Sequence, residues 1–179
     1  MKRENNKSRC VVLGQGNFLR LVEEDGWEYA QRVGSQGIVI ILAVTDNEEV
    51  IFVEQYRAPV GKKTIELPAG LISDKAKFKN ESLISAAKRE LLEETGYRTS
   101  RIKKILRGPA SCGFSSEMLT LVRAYDLEKM GPGGGDELES LIVHEVPLNM
   151  TPRWLNHMAR KGYLIEPKIF MGLYFLTSV

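Results

Sequence analysis

Three patterns predict a mixed α/β chain. Residues 37–45 read G-I-V-I-I-L-A-V-T, a continuous β-branched run typical of a strand buried on both faces. Residues 81–95 carry an apolar stripe at helical spacing (Ile84, Ala87, Leu91) and stop at Gly96, as a capped helix does. Short β-prone segments bounded by turn residues lie on either side.

Taken in order, residues 10–13 and 18–23 predict short strands, and 27–33 a third with alternating aromatic and polar residues. After the buried run, the Asp46-Asn47 turn signal leads into a strand at 49–56. A short strand at 63–67 ends at Pro68-Ala69-Gly70. The helix at 81–95 follows, then strands at 104–107, 119–125 and 141–146. The stretch 131–135, G-P-G-G-G, predicts a mobile loop. Thr151 reads as an N-cap with Pro152 at the first helical position, opening a helix to about residue 161. A last helix is expected at 167–176.

Composition narrows the function classes. A chain of 179 residues supports one domain with a sizeable core. Its net charge of +2 argues against a dedicated nucleic-acid surface. Cys10 and Cys112 lie far apart without C-x-x-C spacing, so a reduced, cytoplasmic setting is the simpler expectation. Residues 1–9 are polar and charged, and no signal peptide is expected. No apolar run approaches a membrane span. His144 sits in an apolar strand and His157 has no His or Cys neighbour, so zinc is not expected; Trp154 reads as a packing residue.

The chemistry concentrates in one helix. Glu90, Glu93 and Glu94 fall at i, i+3 and i+4, which places three carboxylates on one helical face. Like charges so placed repel, and a hard cation with a preference for oxygen ligands, such as Mg²⁺, relieves them. The local string R-E-L-L-E-E-T-G-Y resembles the Nudix box, G-x5-E-x7-R-E-U-x-E-E-x-G-U with U apolar. Arg89, Glu90, Leu91, Glu93, Glu94 and Gly96 match by letter, Glu81 stands at the required distance before Arg89, and Tyr97 takes the last apolar place. The box glycine departs: Lys75 occupies its position, and Gly70 is the counterpart, implying about five extra residues within 73–80, an insertion that a surface loop tolerates.

The Nudix resemblance implies an α/β/α sandwich around a mixed β-sheet. It divides the chain into an N-terminal antiparallel β extension at 1–36, dimer-forming in related enzymes, and a hydrolase domain at 37–179. Further segments look like the ADP-ribose and nucleotide-sugar pyrophosphatase branch. They are V-E-Q-Y-R at 53–57, E-L-P-A-G-L-I at 66–72, Trp27-Glu28-Tyr29 with Arg32, and S-C-G-F-S-S-E at 111–117, which resembles S-P-G-x-S-x-E. Gly162 and Glu166-Pro167-Lys168 near the last helices also fit.

That branch implies Mg²⁺-dependent hydrolysis (Mn²⁺ a possible substitute) of the pyrophosphate bond in a nucleoside diphosphate sugar. ADP-ribose, giving AMP and ribose 5-phosphate, is the first expectation. Cys112 stands where a proline marks ADP-ribose hydrolases, so GDP-mannose or another nucleotide sugar is the alternative. By the same resemblance the ion is held by Glu90, Glu93, Glu94 and the Ala69 carbonyl, with Glu81 and Arg89 in support. The base that activates water is Glu137 or Glu139, the correspondence through V-H-E-V at 143–146 being loose by two residues. Trp27 stacks on the nucleobase, accompanied by Glu28 and Arg32, and Arg57 meets phosphate or the terminal ribose. The expected partners are a nucleotide-sugar small molecule and a second copy of the chain, with neither nucleic acid nor membrane. Two rivals remain: a nucleoside triphosphate pyrophosphatase or RNA cap remover, and a domain that binds nucleotide without turnover.

Overall fold

The computed structural model describes residues 10–73, 80–135 and 140–177. Strands β1 (Val11–Gln15), β2 (Leu19–Glu24) and β3 (Trp27–Arg32) form an antiparallel sheet of their own in the order β1-β2-β3. Glu24 faces Trp27 across a two-residue hairpin of Asp25 and Gly26. Both turn residues have positive φ, 51° and 82°, the geometry that a type I′ turn demands and that Asp-Gly supplies. The Glu23 carboxylate accepts the Gly26 N–H at 2.8 Å and braces the turn.

The rest of the chain builds two four-stranded sheets. One has the order β7 (Ala69–Leu71), β4 (Ile38–Ala43), β9 (Met118–Lys129), β8 (Tyr97–Pro109). The other has the order β10 (Ile142–Pro147), β5 (Glu49–Arg57), β6 (Lys62–Glu66), β11 (Leu164–Ile165). Helix α1 (Leu83–Thr95) buries Ala86, Ala87 and Leu91 against Val39, Ile41 and Val122. The alternate residues of β4, Ile40 and Leu42, face a second core with Phe52, Leu121 and the helices α2 (Thr151–Arg160) and α3 (Lys168–Thr177). Because β4 is covered on both sides, its apolar residues run without alternation. The class is the mixed α/β one that the sequence predicts, with helices on both faces of the sheets.

Several boundaries differ from expectation, each for a local reason. Strand β8 runs well beyond 104–107. It is an edge strand, and its exposed Arg98, Ser100, Arg101 and Lys103 hide the β signal while guarding the edge. Strands β7 and β11 are too short to leave a pattern. Helix α1 begins at Leu83, with the Ser82 side chain accepting the Ser85 N–H at 3.1 Å. Thr151 is not the N-cap of α2: Met150 holds that place, and the Thr151 hydroxyl donates to the Pro147 carbonyl at 3.2 Å.

The larger correction concerns the glycine run 131–135. It is bonded to the end of α1 and is no free loop. The Gly134 N–H donates to the Glu94 carbonyl at 2.8 Å, and the Gly135 N–H to the Glu93 carbonyl at 3.1 Å. These are carbonyls that a helix terminus otherwise leaves unsatisfied. A Cβ on Gly133 would lie 2.6 Å from the Glu94 carbonyl oxygen, so only glycine lets the strap approach so closely. Among the described residues, no helix is long and apolar enough to cross a membrane.

Candidate active site

The acidic face of α1 is turned inward and packs on β7. Glu90 and Glu94 are buried, while the Glu93 side chain is about a third exposed. Glu94 Oε2 accepts the Ala69 N–H at 3.0 Å, tying the helix to the strand. A Cβ on Gly70 would fall 2.0 Å from Glu90 Oε1, so Glu90 occupies the space that this glycine leaves open. That packing gives the displaced box glycine a physical role.

Arg89 organises the remaining carboxylates. Its Nε and Nη2 fork onto Glu81 at 3.1 and 2.9 Å, and Nη1 meets Glu90 at 2.9 Å and Glu93 at 3.1 Å. Nη2 also donates to the Leu71 carbonyl at 3.3 Å. Burial alone would weaken the guanidinium's hold on its proton. The bonds to Glu81, with the charge of Glu90 and the bond to Glu93, outweigh burial and push the group further above its usual range. Arg89 therefore remains a fixed cation among three carboxylates, Glu81, Glu90 and Glu93.

Among the described residues, no three His, Cys, Asp or Glu side chains converge as a ready-made ion site. Arg89 draws Glu90 and Glu93 toward itself. The donor set nonetheless fits a hard divalent cation. It is all oxygen, and buried carboxylates are stable only when paired, hydrogen-bonded or bound to metal.

Beyond Ala69 lies a second charged group that sequence reading resolved only in part. Arg57, at the end of β5, forks onto Glu66 of β6, Nε to Oε1 at 2.8 Å and Nη2 to Oε2 at 2.6 Å. Burial raises the affinity of Glu66 for its proton, but Arg57 and Thr64 reverse this and hold the carboxyl below its ordinary value. Strand β11 pairs with β6 in parallel, and the Glu166 N–H donates to the Ile65 carbonyl at 3.0 Å, which sets Glu166 beside Glu66. Lys168 pairs with Glu166 and feels Glu66, Arg57 and Glu117. Arg32 of β3 pairs with Glu117. Glu66 and Lys168 stood in motifs read from the sequence, but their contact depends on the β6–β11 pairing, which a two-residue strand does not announce.

Trp27 lies apart from these cations. It lines a cleft of about 480 Å³ with Glu24, Tyr29 and Cys112. The segment 111–117 docks on β3, the Ala30 N–H donating to the Phe114 carbonyl at 2.8 Å and the Ser116 N–H to the Ala30 carbonyl at 3.1 Å. Arg32 opens instead onto an adjoining cleft of about 260 Å³, and Ser116 lines both. Glu28 is exposed and lines neither. Glu137 and Glu139 lie outside the described residues. His144 bonds Glu54 at 3.1 Å and Trp154 stacks on Phe52 with ring centroids 5.4 Å apart, both packing roles.

An acidic helix turn clamped by an arginine, packed on a glycine-bearing strand within an α/β fold, defines a class that sequence comparison makes explicit. Residues 35–161 match the NUDIX domain, and the chain belongs to that family. An uncharacterised Nudix hydrolase of Schizosaccharomyces pombe is 41% identical over 98% of this chain and 93% of its own length. An ADP-ribose pyrophosphatase of Bacillus subtilis (strain 168) is 37% identical over 63% of this chain. The match covers 58% of that relative, so the chain spans under two thirds of its length. In fold, the chain resembles a crystal structure described as an ADP compounds hydrolase, with a TM-score of 0.66, 21% identity, and coverage of 83% of this chain and 80% of the other.

Proposed function

We propose that the protein is a Mg²⁺-dependent pyrophosphohydrolase of nucleoside diphosphate sugars, with ADP-ribose the first substrate and AMP and ribose 5-phosphate the products. One observation carries this reading: the buried Glu90 and Glu94, held by Ala69 and Arg89 against Gly70. A domain that merely bound nucleotide would have no need to bury carboxylates around a fixed guanidinium. Relatives with ADP-ribose pyrophosphatase activity in their names add support.

In this reading Glu90, Glu93, Glu94 and the Ala69 carbonyl hold Mg²⁺ (or Mn²⁺), which when bound neutralises charge on the diphosphate oxygens. Glu81 and Arg89 orient those ligands. Arg57, already forked by Glu66, presents its remaining edge to phosphate or the terminal ribose. Trp27 stacks on the base, accompanied by Arg32, which pairs with Glu117. Glu137 takes the proton of the attacking water, with Glu139 second. The bond from the N–H of Gly135, two residues before Glu137 in the chain, to the Glu93 carbonyl supports this reading.

The same reading divides the chain at residues 36 and 37 and assigns the first part to a homodimer. Val12, Leu13, Phe18, Leu19 and Leu21 of the β1–β3 sheet are exposed, an apolar surface suited to a second copy. Free, exposed Cys10 and Cys112 fit a reduced cytoplasmic compartment. GDP-mannose is the second substrate reading, because Cys112 stands where a proline marks ADP-ribose hydrolases.

The deciding experiment incubates the purified chain with ADP-ribose, GDP-mannose and UDP-glucose, with Mg²⁺ or with chelator, and resolves the products. Chelator-sensitive release of AMP or GMP is expected. Glu137→Gln is expected to lose about 10²- to 10⁴-fold in kcat while still binding substrate. Metal-independent turnover, or none with any of these nucleotides, overturns the proposal.

A further inference from the structure

Strand β8 departs from regular pairing at one point. Lys104 faces Val122 of β9 and Arg107 faces Thr120, with a bulge between Lys104 and Leu106. On a regular strand, side chains three apart point to opposite faces. The extra residue of the bulge cancels that, because Val122 and Thr120 are two apart and share a face. Lys104 and Arg107 therefore both turn to the side of the sheet where Val122 packs with α1. There they line a cleft of about 260 Å³ with Thr120 and with Leu83, the first residue of α1. No Asp or Glu lines this cleft, and neither cation has a carboxylate partner among the described residues. Thr120 is only 5% exposed, and its hydroxyl has no hydrogen-bond partner among those residues. A buried hydroxyl left unpaired is costly. The one wholly buried side-chain polar atom without a partner among the described residues is Arg123 Nε, so the Thr120 oxygen keeps some surface, and the cleft is what it faces.

Two like charges brought to one space, with an unpaired hydroxyl beside them, call for an anion. The donors are an ammonium, a planar guanidinium and a hydroxyl, more than a carboxylate's two oxygens use and well matched to the several oxygens of a phosphoryl group. We propose that Lys104, Arg107 and Thr120 form a phosphate-binding site, for inorganic phosphate or for the phosphoryl group of a small metabolite. The site is separate from the acidic turn. That turn is tied to β7 at one edge of the sheet, whereas both cations come from β8 at the other edge. The site therefore does not depend on the hydrolytic reading.

Isothermal titration calorimetry of the whole chain tests it, with inorganic phosphate and with ribose 5-phosphate as probes. Ionic strength is matched, and a chelator is present so that no metal-held phosphate at the acidic turn contributes. One site of millimolar affinity is expected, because both cations are exposed. Tighter binding of inorganic phosphate assigns the site to the free ion, and tighter binding of ribose 5-phosphate assigns it to a phosphorylated metabolite; either supports the site. Lys104→Gln and Arg107→Gln are each expected to weaken binding roughly tenfold, the lower end for a charge-assisted bond. Thr120→Val is expected to weaken it about threefold and to leave the thermal midpoint of the ligand-free protein no lower than that of wild type, since the hydroxyl has no partner to lose. Arg57→Gln, at the other cationic group, is expected to bind as wild type does. No binding by wild type, binding that Lys104→Gln and Arg107→Gln leave unchanged, or a loss confined to Arg57→Gln overturns the proposal. Hydrolysis of a nucleoside diphosphate sugar without phosphate binding removes this site and leaves the proposed function standing, and phosphate binding without hydrolysis does the reverse.

Discussion

The acidic turn of α1 and the Trp27 cleft are built in opposite ways. The first is local: Glu81, Arg89, Glu90, Glu93 and Glu94 lie within one stretch of chain, and strand β7 with the glycine strap closes on it from outside. The second is assembled from the β2–β3 hairpin and the docked 111–117 segment, far apart in sequence. The local site is braced by bonds to every carboxylate and is closed to the ordinary side chain at Gly70. The assembled one is open, with its main aromatic surface in water. Under the proposed function, precision at the acidic turn and tolerance at the Trp27 cleft suit a hydrolase acting on related nucleotides.

Substitutions can separate the two. Glu94→Gln has the largest expected effect, since it removes one proposed ligand and disturbs the tie to Ala69. A loss of several kcal/mol of transition-state stabilisation is roughly a thousandfold in kcat. AMP binding measured through Trp27 fluorescence is expected to stay intact, and its parallel loss would show that the two sites are one. Gly70→Ala comes next. Its Cβ must displace the Glu90 carboxyl, an overpacking that costs typically 1–3 kcal/mol. Thermal unfolding is expected to shift down with activity, again sparing the cleft; a variant as stable and active as wild type breaks the account of the glycine.

The smallest effect belongs to Glu66, between the two sites. Its folded pKa lies below the ordinary 4.5, so its share of stability is complete above that value. That share is lost as pH falls through the lower, native value. Glu66→Gln is therefore expected to flatten the acid limb of a stability–pH curve and to raise KM by freeing Arg57. An unchanged acid limb would remove Glu66 as the anchor.

The same contrast decides what the sequence could show. The spacing of Glu90, Glu93 and Glu94 is itself the geometry once a helix is granted, so the acidic face was legible, and so was the role of Gly96 as its cap. The partners of Arg57 and Lys168 were not, because they depend on how β5, β6 and β11 align. The place of Glu24 beside Trp27 and Tyr29 was not legible for a related reason: the three are close in number, but only the hairpin register shows that they share one cleft. The glycine run was misread because glycine signals freedom and close approach alike, and only the contacts of Gly133 to Gly135 with α1 tell which applies.

That strap has a mechanical consequence. The Glu93 and Glu94 carboxylates accept from Arg89 and the Ala69 N–H, while their carbonyls accept from the Gly135 and Gly134 N–H groups. Tension on the strap is then felt by the same two peptide units that aim the acidic groups. Adding or deleting a residue between 130 and 135 will therefore show itself first as a change in the cation concentration needed for half-maximal turnover, before any loss of the folded state.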